Sequence, residues 1–232
     1  NLLESSLEFW KNLPRDEKYQ FRFLQISTDE VYGSLGEKDP SFSEESQFSP
    51  NSPYSASKAS ADHLVRSYFK TYNLPTLITH SSNNYGPLQY KEKFIPLIID
   101  KAIRGEKIPI YGNGENIRDW IYVNDNCEAI KTVLKKGVIG ESYNIGGLNQ
   151  KTNNQIAKNI CKILDEYSPL KKNLDFKKHE DLLTFVNDRP GHDKRYSINS
   201  KKIINKLGWK PLVELQNGLK KTIFWYLKNF EL

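Results

Sequence analysis

The chain has 232 residues and a formal net charge of +6, with 38% hydrophobic and 12% aromatic residues. These values are typical of one substantial core, alone or with a smaller subdomain, and they exclude a disordered tail. The lysines are scattered among acidic residues rather than forming one basic stripe, which argues against nucleic-acid binding. No apolar stretch approaches the ~20 residues that span a bilayer, and no signal peptide opens the sequence. We therefore expect a cytoplasmic protein that binds neither nucleic acid nor membrane.

Three residue types bear on chemistry and processing. Cys127 and Cys161 show no paired spacing and fall in helical patterns, so we expect buried thiols rather than a disulfide or a metal site. No His, Cys and Asp spacing predicts a metal ligand set, and His63 and His80 are interpreted as structural. The sequence contains no methionine, even at position 1. We therefore expect that Asn1 is not the natural start of translation and that the chain is truncated.

Hydrophobic periodicity predicts the elements of the first third of the chain. In order, these are a helix over 2–13 that stops at Pro14, a buried strand over 21–26, a loop over 27–51, a helix from 53 to about 72 and a second buried strand over 74–79. Strand, loop, helix and strand at this spacing make a βαβ unit.

Shorter elements follow residue 84. They are helices over 94–104, 124–135, 153–167, 200–207 and 215–229, strands over 107–111 and 142–145, and a polar stretch through Pro190-Gly191. The layout predicts half of a doubly wound parallel sheet that passes into a smaller α/β lobe.

Tyr54 and Lys58 lie four residues apart on a predicted helix, so their side chains share a face. A neighbouring ammonium is expected to lower the pKa of the phenol towards that of a usable base. The spacing alone is weak, because chance gives about 1.5 such pairs in a chain of this composition. The context strengthens it, since Thr28 ends the preceding buried strand and its hydroxyl could share a substrate oxygen with the phenol.

Five motifs, in order along nearly the whole chain, carry a resemblance to a known family. They are Ser27-Thr28-Asp29-Glu30-Val31-Tyr32-Gly33, Tyr54-Ser55-Ala56-Ser57-Lys58-Ala59, Ser82-Asn83-Asn84-Tyr85-Gly86-Pro87, Ile117-Arg118-Asp119-Trp120 and Asp188-Arg189-Pro190-Gly191-His192-Asp193. Together they resemble the dTDP-glucose 4,6-dehydratases of the extended short-chain dehydrogenase/reductase superfamily. The resemblance implies that 1–85 is the remainder of an NAD-binding Rossmann domain with the catalytic residues. It implies that 86–232 is mainly a nucleotide-sugar lobe, with some segments returning to the Rossmann domain.

Asp29-Glu30 distinguishes best among relatives with other chemistry. Two adjacent carboxyl groups, one protonated and one ionised, supply an acid and a base at neighbouring substrate atoms, as elimination of water requires. Epimerases of the superfamily usually carry small residues here, and nucleotide-sugar decarboxylases lack the Asp. The pair therefore favours dehydration over a solvated surface turn.

The resemblance implies a role for each catalytic residue. Tyr54, as phenolate, takes the C4-hydroxyl proton while the C4 hydride passes to NAD⁺. Lys58 lowers the pKa of that phenol and contacts the cofactor ribose, and Thr28 hydrogen-bonds the C4 oxygen. Glu30 then removes the C5 proton and Asp29 protonates the departing C6 hydroxyl. The hydride returns to C6, so the net reaction is that of a lyase.

The resemblance also implies binding residues. Asn83 is expected to contact substrate and Asn84 the nicotinamide end of NAD, although turn chemistry at Gly86-Pro87 also explains this Asn-rich junction. The guanidinium groups of Arg118 and Arg189 can each form two parallel hydrogen bonds, which suits a diphosphate. A structural ion pair is the alternative for each: we favour the diphosphate for Arg118 and give the two interpretations equal weight for Arg189. Further positions expected to line the nucleotide-sugar site are Lys93, Phe94, Pro109, Tyr111 (as a stacking surface for the base), Asn153 and His192.

Two departures from the family pattern limit these expectations. Ser81 and His80 stand where the family more often carries a Cys and an Arg or Asn, from which we expect little consequence. No complete glycine-rich dinucleotide fingerprint occurs, since Gly33/Gly36 lacks a third glycine and Ile117 stands where a third would follow Gly112/Gly114. We therefore expect a fragment that lacks the first βαβ units. On its own, this fragment is expected to bind NAD poorly, and whether it is active stays open.

The resemblance to extended short-chain dehydrogenases also implies a homodimer, through a helix pair that includes the helix starting at Tyr54. Two other functions stay open. One is a non-enzymatic nucleotide-sugar-binding relative that has lost turnover. The other is a dehydratase acting on UDP-glucose, because the Thr-Asp-Glu chemistry is blind to the nucleobase.

Overall fold

The computed structural model describes residues 1–170 and 176–229, which divide into two compact units. Unit 1 comprises 1–82, 126–146 and 196–210, and unit 2 comprises the described residues of 83–125, 147–195 and 211–229. The assignment of 1–85 to a cofactor domain and of 86–232 to a substrate lobe stays a prediction.

The helices and strands of the described residues, in chain order, are α1 (Leu2–Asn12), α2 (Arg15–Gln20), β1 (Phe23–Thr28), α3 (Pro53–Tyr72), β2 (Thr76–Ser81), β3 (Asn83–Tyr85), α4 (Phe94–Arg104), β4 (Ile108–Tyr111), β5 (Ile117–Tyr122), α5 (Val123–Lys136), β6 (Ser142–Ile145), β7 (Gln150–Thr152), α6 (Asn153–Tyr167), β8 (Leu183–Val186), α7 (Lys201–Leu207) and α8 (Leu215–Lys228). Two 3₁₀ helices cover Asp29–Tyr32 and His179–Leu182. The predicted helices and strands are confirmed to within two residues at most ends. The sequence did not predict α2, β3, β5, β7 and β8. None of the described helices has the length and apolar character needed to cross a membrane.

Unit 1 is built on a parallel sheet of order β1-β2-β6. Phe23 of β1 pairs with Thr76 of β2, and Thr28 pairs with Ser81, so the two strands end at the same edge. Every residue of β2 is buried because it is the central strand, whereas β1 is partly exposed. Helix α3 packs against both strands, completing a βαβ unit. This confirms the predicted α/β, partial Rossmann-like parallel sheet.

Local signals in the sequence fix both ends of α3. The Ser52 side chain accepts a hydrogen bond from the Ser55 amide, and the Ser55 side chain accepts one from the Ser52 amide, which is a capping box. Pro53 occupies the first turn, where its missing N–H costs nothing. Asn73 ends the helix in the left-handed conformation at φ 59°.

Unit 2 contains the sheet β3-β5-β7 and the pair β4-β8. Strand β5 lies parallel to β3 and antiparallel to β7. Helices α4, α6 and α8 pack together and bury an apolar core. The largest fully buried side chains of this core include Tyr85, Ile95, Ile98, Ile99, Ile108 and Ile110.

The two cysteines differ in exposure. Cys161 is buried in unit 2, and burial raises the pKa of its thiol to about 12. Cys127 is exposed, so the prediction of a buried thiol was wrong there. The reason is the face of α5 on which it lies, because Asn126, Ala129 and Val133 take the buried positions of that helix.

Candidate active site

The carboxyl end of β1 leads directly into the 3₁₀ helix that carries the two predicted catalytic carboxyl groups. Thr28 caps this helix, because its Oγ1 accepts a hydrogen bond from the Glu30 amide at 3.3 Å and donates one to Asp29 Oδ1 at 3.4 Å. Asp29 is 2% exposed, while Glu30 is half-buried. Gly33 ends the turn at φ 91°, and a Cβ there would overlap the Ser49 carbonyl oxygen. We call residues 28–30 the carboxylate turn.

The phenol of Tyr54 lies beside the carboxylate turn. Partial burial of the phenol, followed by the negative charges of Glu30 and Asp29, raises the pKa of Tyr54, while a hydrogen bond with Thr28 lowers it. Tyr54 as a whole residue is nevertheless 55% exposed. The structure therefore brings together Tyr54, Thr28, Asp29 and Glu30, which the sequence placed in one site.

Lys58 behaves differently from the prediction. Its Nζ donates a hydrogen bond to the Ile26 carbonyl oxygen at 2.6 Å. The pKa of Tyr54 is raised, whereas Lys58 was expected to lower it. The physical reasons are the burial of the phenol and the charges of Glu30 and Asp29, while Lys58 donates to a backbone carbonyl of β1.

Asn83 and Asn84 lie on β3 in unit 2. They pair with Trp120 and Ile121 of β5. The Asn83 side-chain oxygen is buried and has no hydrogen-bond partner among the described residues. The Asn84 carbonyl oxygen accepts a hydrogen bond from Gln89 Nε2 at 2.8 Å. An amide with a free buried acceptor suits a ligand donor, as the prediction for Asn83 requires.

A cluster of two arginines and a histidine gathers three of the predicted binding residues in unit 2. Burial lowers the pKa of His192, and the charges of Arg189 and Arg118 lower it further, so both guanidinium groups act on this ring. Asp188 partly offsets them, because its Oδ1 lies 2.7 Å from His192 Nδ1. Arg189 is exposed. Such a cluster suits an anion.

The Arg118 side chain is buried and hydrogen-bonded to the protein backbone. It is 4% exposed, and its terminal nitrogens donate to the carbonyl oxygens of Ile117 and Asp193, each at 2.8 Å. These bonds hold the segment at 193 against β5. The guanidinium of Arg118 is therefore held in a fixed position by backbone carbonyl oxygens.

The remaining predicted binding residues occupy the elements around this cluster. Phe94 stacks on Trp120 with ring centroids 6.1 Å apart, and Lys93 is exposed just before α4. Tyr111 ends β4, is 40% exposed and pairs with Val186 of β8. Further back on β4 lies Pro109, half-buried, and Asn153 begins α6 and is buried.

A separate cavity of about 530 Å³ lies in unit 1 and is lined by none of the predicted site residues. Its lining includes Glu44, Asp62, His63, Arg66 and His80. Sequence reasoning missed Asp62, although one signal was present, since positions 54, 58 and 62 share one face of a helix. The described residues contain no group of three or more His, Cys, Asp or Glu side chains able to hold a metal ion.

The fold and these side chains define a chain of the extended short-chain dehydrogenase/reductase type. The family model described as GDP-mannose 4,6 dehydratase matches residues 1–222. The chain therefore belongs to this nucleotide-sugar dehydratase family, and the resemblance predicted from the five motifs is confirmed.

Individual relatives of the chain have names more specific than that of the family. The dTDP-glucose 4,6-dehydratase of Neisseria meningitidis serogroup B is 51% identical over 99% of this chain and 64% of its own length. That of Haemophilus influenzae is 52% identical over 98% of this chain and 67% of its own length. The crystal structure of dTDP-glucose 4,6-dehydratase from Bacillus anthracis in complex with NAD is 46% identical, with a TM-score of 0.85 over 99% of this chain and 67% of that one. The chain thus spans about two thirds of the length of these relatives.

Proposed function

We propose that the protein containing this chain is an NAD-dependent dTDP-glucose 4,6-dehydratase that forms dTDP-4-keto-6-deoxyglucose. One observation carries the proposal: the Tyr54 phenol lies close enough to Asp29 and Glu30 for their charges to raise its pKa, and it is hydrogen-bonded to Thr28. A base, an acid and a hydroxyl that binds oxygen are thus within reach of one sugar ring, as a dehydration at neighbouring carbons requires.

The residues around α3 fit a nicotinamide cofactor. Lys58 Nζ uses one of its three donors on the Ile26 carbonyl, which leaves donors for ribose hydroxyls beside the carboxyl end of β1. Tyr54, Lys58 and Asn84 are the residues that would hold NAD. When bound, NAD would supply a hydride acceptor for C4 and a hydride donor for C6.

The chain's own residues supply the proton transfers. Tyr54 takes the proton of the C4 hydroxyl as its phenolate, a form that burial and the charges of Glu30 and Asp29 oppose in this chain. Thr28 holds the C4 oxygen through its hydroxyl. A ketone at C4 acidifies C5–H, whose proton Glu30 removes as base and later returns to C5, so that the product keeps its C5 hydrogen. Asp29 gives a proton to the C6 hydroxyl, which leaves as water. The transfers at C5 and C6 require two carboxyl groups side by side, and Asp29 and Glu30 are adjacent in the carboxylate turn.

The nucleotide end of the substrate is assigned to unit 2. The guanidinium groups of Arg118 and Arg189, beside the His192 ring, suit a diphosphate, and the exposed ring of Tyr111 offers a stacking surface for the base. Lys93, Phe94, Pro109, Asn83 and Asn153 are proposed to complete this binding surface.

A homodimer through α1 and α3 is part of the proposal. These helices pack on each other and expose large apolar side chains, among them Leu2, Phe9 and Leu64, at 71%, 60% and 56%. Light scattering coupled to gel filtration tests this. A Leu64→Lys variant is expected to shift the protein from dimer to monomer, and an unchanged dimer would place the interface elsewhere.

The function is tested by assaying the full-length protein that carries this chain for the 4-keto-6-deoxy product, with dTDP-glucose and UDP-glucose in parallel. Asp29→Asn and Glu30→Gln are each expected to lower kcat by about 10² to 10⁴-fold, the usual contribution of a general acid or base. Glu37→Gln, which alters an exposed carboxylate of the following loop, is the matched control. Full dehydration by Glu30→Gln at the parent rate would refute the mechanism, and higher turnover of UDP-glucose would refute the substrate.

A further inference from the structure

A buried chain of polar side chains runs through unit 1 beneath the carboxylate turn. The Ser27 hydroxyl donates to Asp62 Oδ2 at 2.6 Å, and His80 Nε2 lies 3.2 Å from the same oxygen. On the other side of the ring, His80 Nδ1 lies 3.1 Å from the Tyr32 hydroxyl, which lies 2.9 Å from Asn144 Oδ1. These groups come from β1, α3, β2, the first 3₁₀ helix and β6.

The row of hydrogen-bonded side chains ends at Asn144, whose side-chain amide satisfies its contacts in only one orientation. Its Nδ2 donates to the Phe42 carbonyl oxygen at 3.2 Å. Turning the amide over would place two oxygens against each other there. Asn144 Oδ1 therefore faces Tyr32 and accepts the proton of its hydroxyl.

Tyr32 cannot supply a second proton. Burial, followed by the nearby charge of Glu44, raises the pKa of Tyr32, so the side chain stays a phenol with one proton. That proton is used on Asn144. The contact between Tyr32 and His80 is then a hydrogen bond only if His80 Nδ1 carries a proton and donates it.

Counting protons gives the charge of the pair. Three hydrogen bonds link Asn144, Tyr32, His80 and Asp62, and each needs one proton. A phenol and a neutral imidazole supply two, and an ionised carboxylate supplies none. The third proton is shared by Asp62 and His80. We place it on the His80 ring because Asp62 Oδ2 also accepts the proton of the Ser27 hydroxyl, as a carboxylate oxygen does.

The surroundings are consistent with an ion pair that is neutral overall. Asp62 is 2% and His80 1% exposed. The His80 ring lies between Tyr32 and Phe48, with centroids 5.1 and 5.5 Å away. A carboxylate buried this deeply without a counter-charge is strongly disfavoured, whereas a hydrogen-bonded cation beside it removes most of that penalty.

We propose that Asp62 and imidazolium His80 form a clamp that positions the carboxylate turn against α3. Asp62 holds Ser27, which precedes the turn, and His80 holds Tyr32, which follows it. Asp62 lies two helical turns beyond Tyr54 on α3, so the clamp ties the phenol and the two carboxyl groups to one frame. Both are positioning residues, and their effect on turnover rests on the proposed dehydratase function.

The charge is tested without any activity by ¹⁵N NMR of the histidine rings at neutral pH, in the full-length protein that carries this chain. The His80 signal is identified by its loss in His80→Asn. We expect two protonated ring nitrogens in the parent protein and a neutral ring in Asp62→Asn. One protonated and one unprotonated nitrogen in the parent protein would overturn the assignment.

Kinetics test the positioning role. Asp62→Asn and His80→Asn are each expected to lower kcat about tenfold with KM nearly unchanged, because each leaves its partner unmatched. The double variant is expected to lose no more than either single variant. His63→Asn, an exposed histidine next to Asp62, is the control.

Independent losses that multiply in the double variant would overturn the clamp, as would an unchanged kcat in both single variants. Circular dichroism of each variant separates loss of fold from loss of position. If the parent protein shows no dehydratase activity, the proposed function fails, while the NMR result still decides the charge of His80.

Discussion

Gly218 in α8 tests how tightly unit 2 is packed around Tyr85. A Cβ added at Gly218 would overlap the Tyr85 hydroxyl and lie 2.9 Å from Cζ. Tyr85 is 1% exposed, and its ring is held by Trp120 and Tyr122 at 6.4 and 5.6 Å, so it cannot swing aside. Overpacking of this kind costs ~1–3 kcal/mol. Alanine gains ~1 kcal/mol over glycine inside a helix, so the two effects together make Gly218→Ala destabilising by ~1 kcal/mol.

The assay is thermal unfolding followed by circular dichroism. At ~2–4 °C per kcal/mol for a domain of this size, the midpoint should fall by ~2–4 °C. Adding Tyr85→Phe removes the clashing oxygen at the cost of one weak hydrogen bond to the Leu215 carbonyl at 3.4 Å, so the double variant should regain most of the loss. A midpoint for Gly218→Ala equal to or above that of the parent would refute the packing argument.

Three further variants probe charge and binding. Asp125→Asn should be destabilising by ~1–3 kcal/mol in urea unfolding, because one carboxylate oxygen accepts two backbone amides of the segment before α8. Burial in the folded protein lowers the pKa of His192, so the contribution of this residue to stability is present above its ordinary pKa and is lost as the pH falls through the lowered value. Asp188→Asn should lower the pKa of His192 further, because the hydrogen bond to Asp188 raises it, and an NMR titration would show the shift. Arg118→Lys and Arg189→Lys should each raise KM for dTDP-glucose about tenfold with kcat retained, since lysine lacks the bidentate fork, and an unchanged KM would remove that arginine from the diphosphate site.

The elements that the sequence predicted well carry local signals. Helix α3 was placed correctly because Ser52, Pro53 and Ser55 specify its start. Strand β5 was missed because Arg118 and Asp119 break its apolar pattern. The structure shows why they are tolerated there: Asp119 accepts the amides of Gly147 and Asn149 at 2.8 and 2.6 Å, which are contacts about 30 residues away in sequence.

The candidate site also has features that the sequence predicts and features that it does not. That Tyr54 would lie near Thr28 follows from the rule that parallel strands and the helices after them meet at the carboxyl edge. The pKa of Tyr54 did not follow, because it depends on the burial of the phenol and on the charges of Glu30 and Asp29. Neither is visible in a Tyr-x-x-x-Lys spacing. The clamp at His80 was missed for a similar reason, since its partners come from four other segments.

The distribution of residues between the two units has a kinetic consequence. The side chains proposed to move protons all belong to unit 1, whereas the charged cluster proposed to hold the diphosphate belongs to unit 2. Groups that act only on the reacting carbons change kcat, and groups that bind a remote part of the substrate equally in the ground and transition states change KM. Variants of unit 1 and unit 2 should therefore separate on a plot of kcat against KM. Arg118 is the informative exception, because it also holds the backbone at Asp193, so a loss of kcat in Arg118→Lys would show that the frame of unit 2 had moved as well.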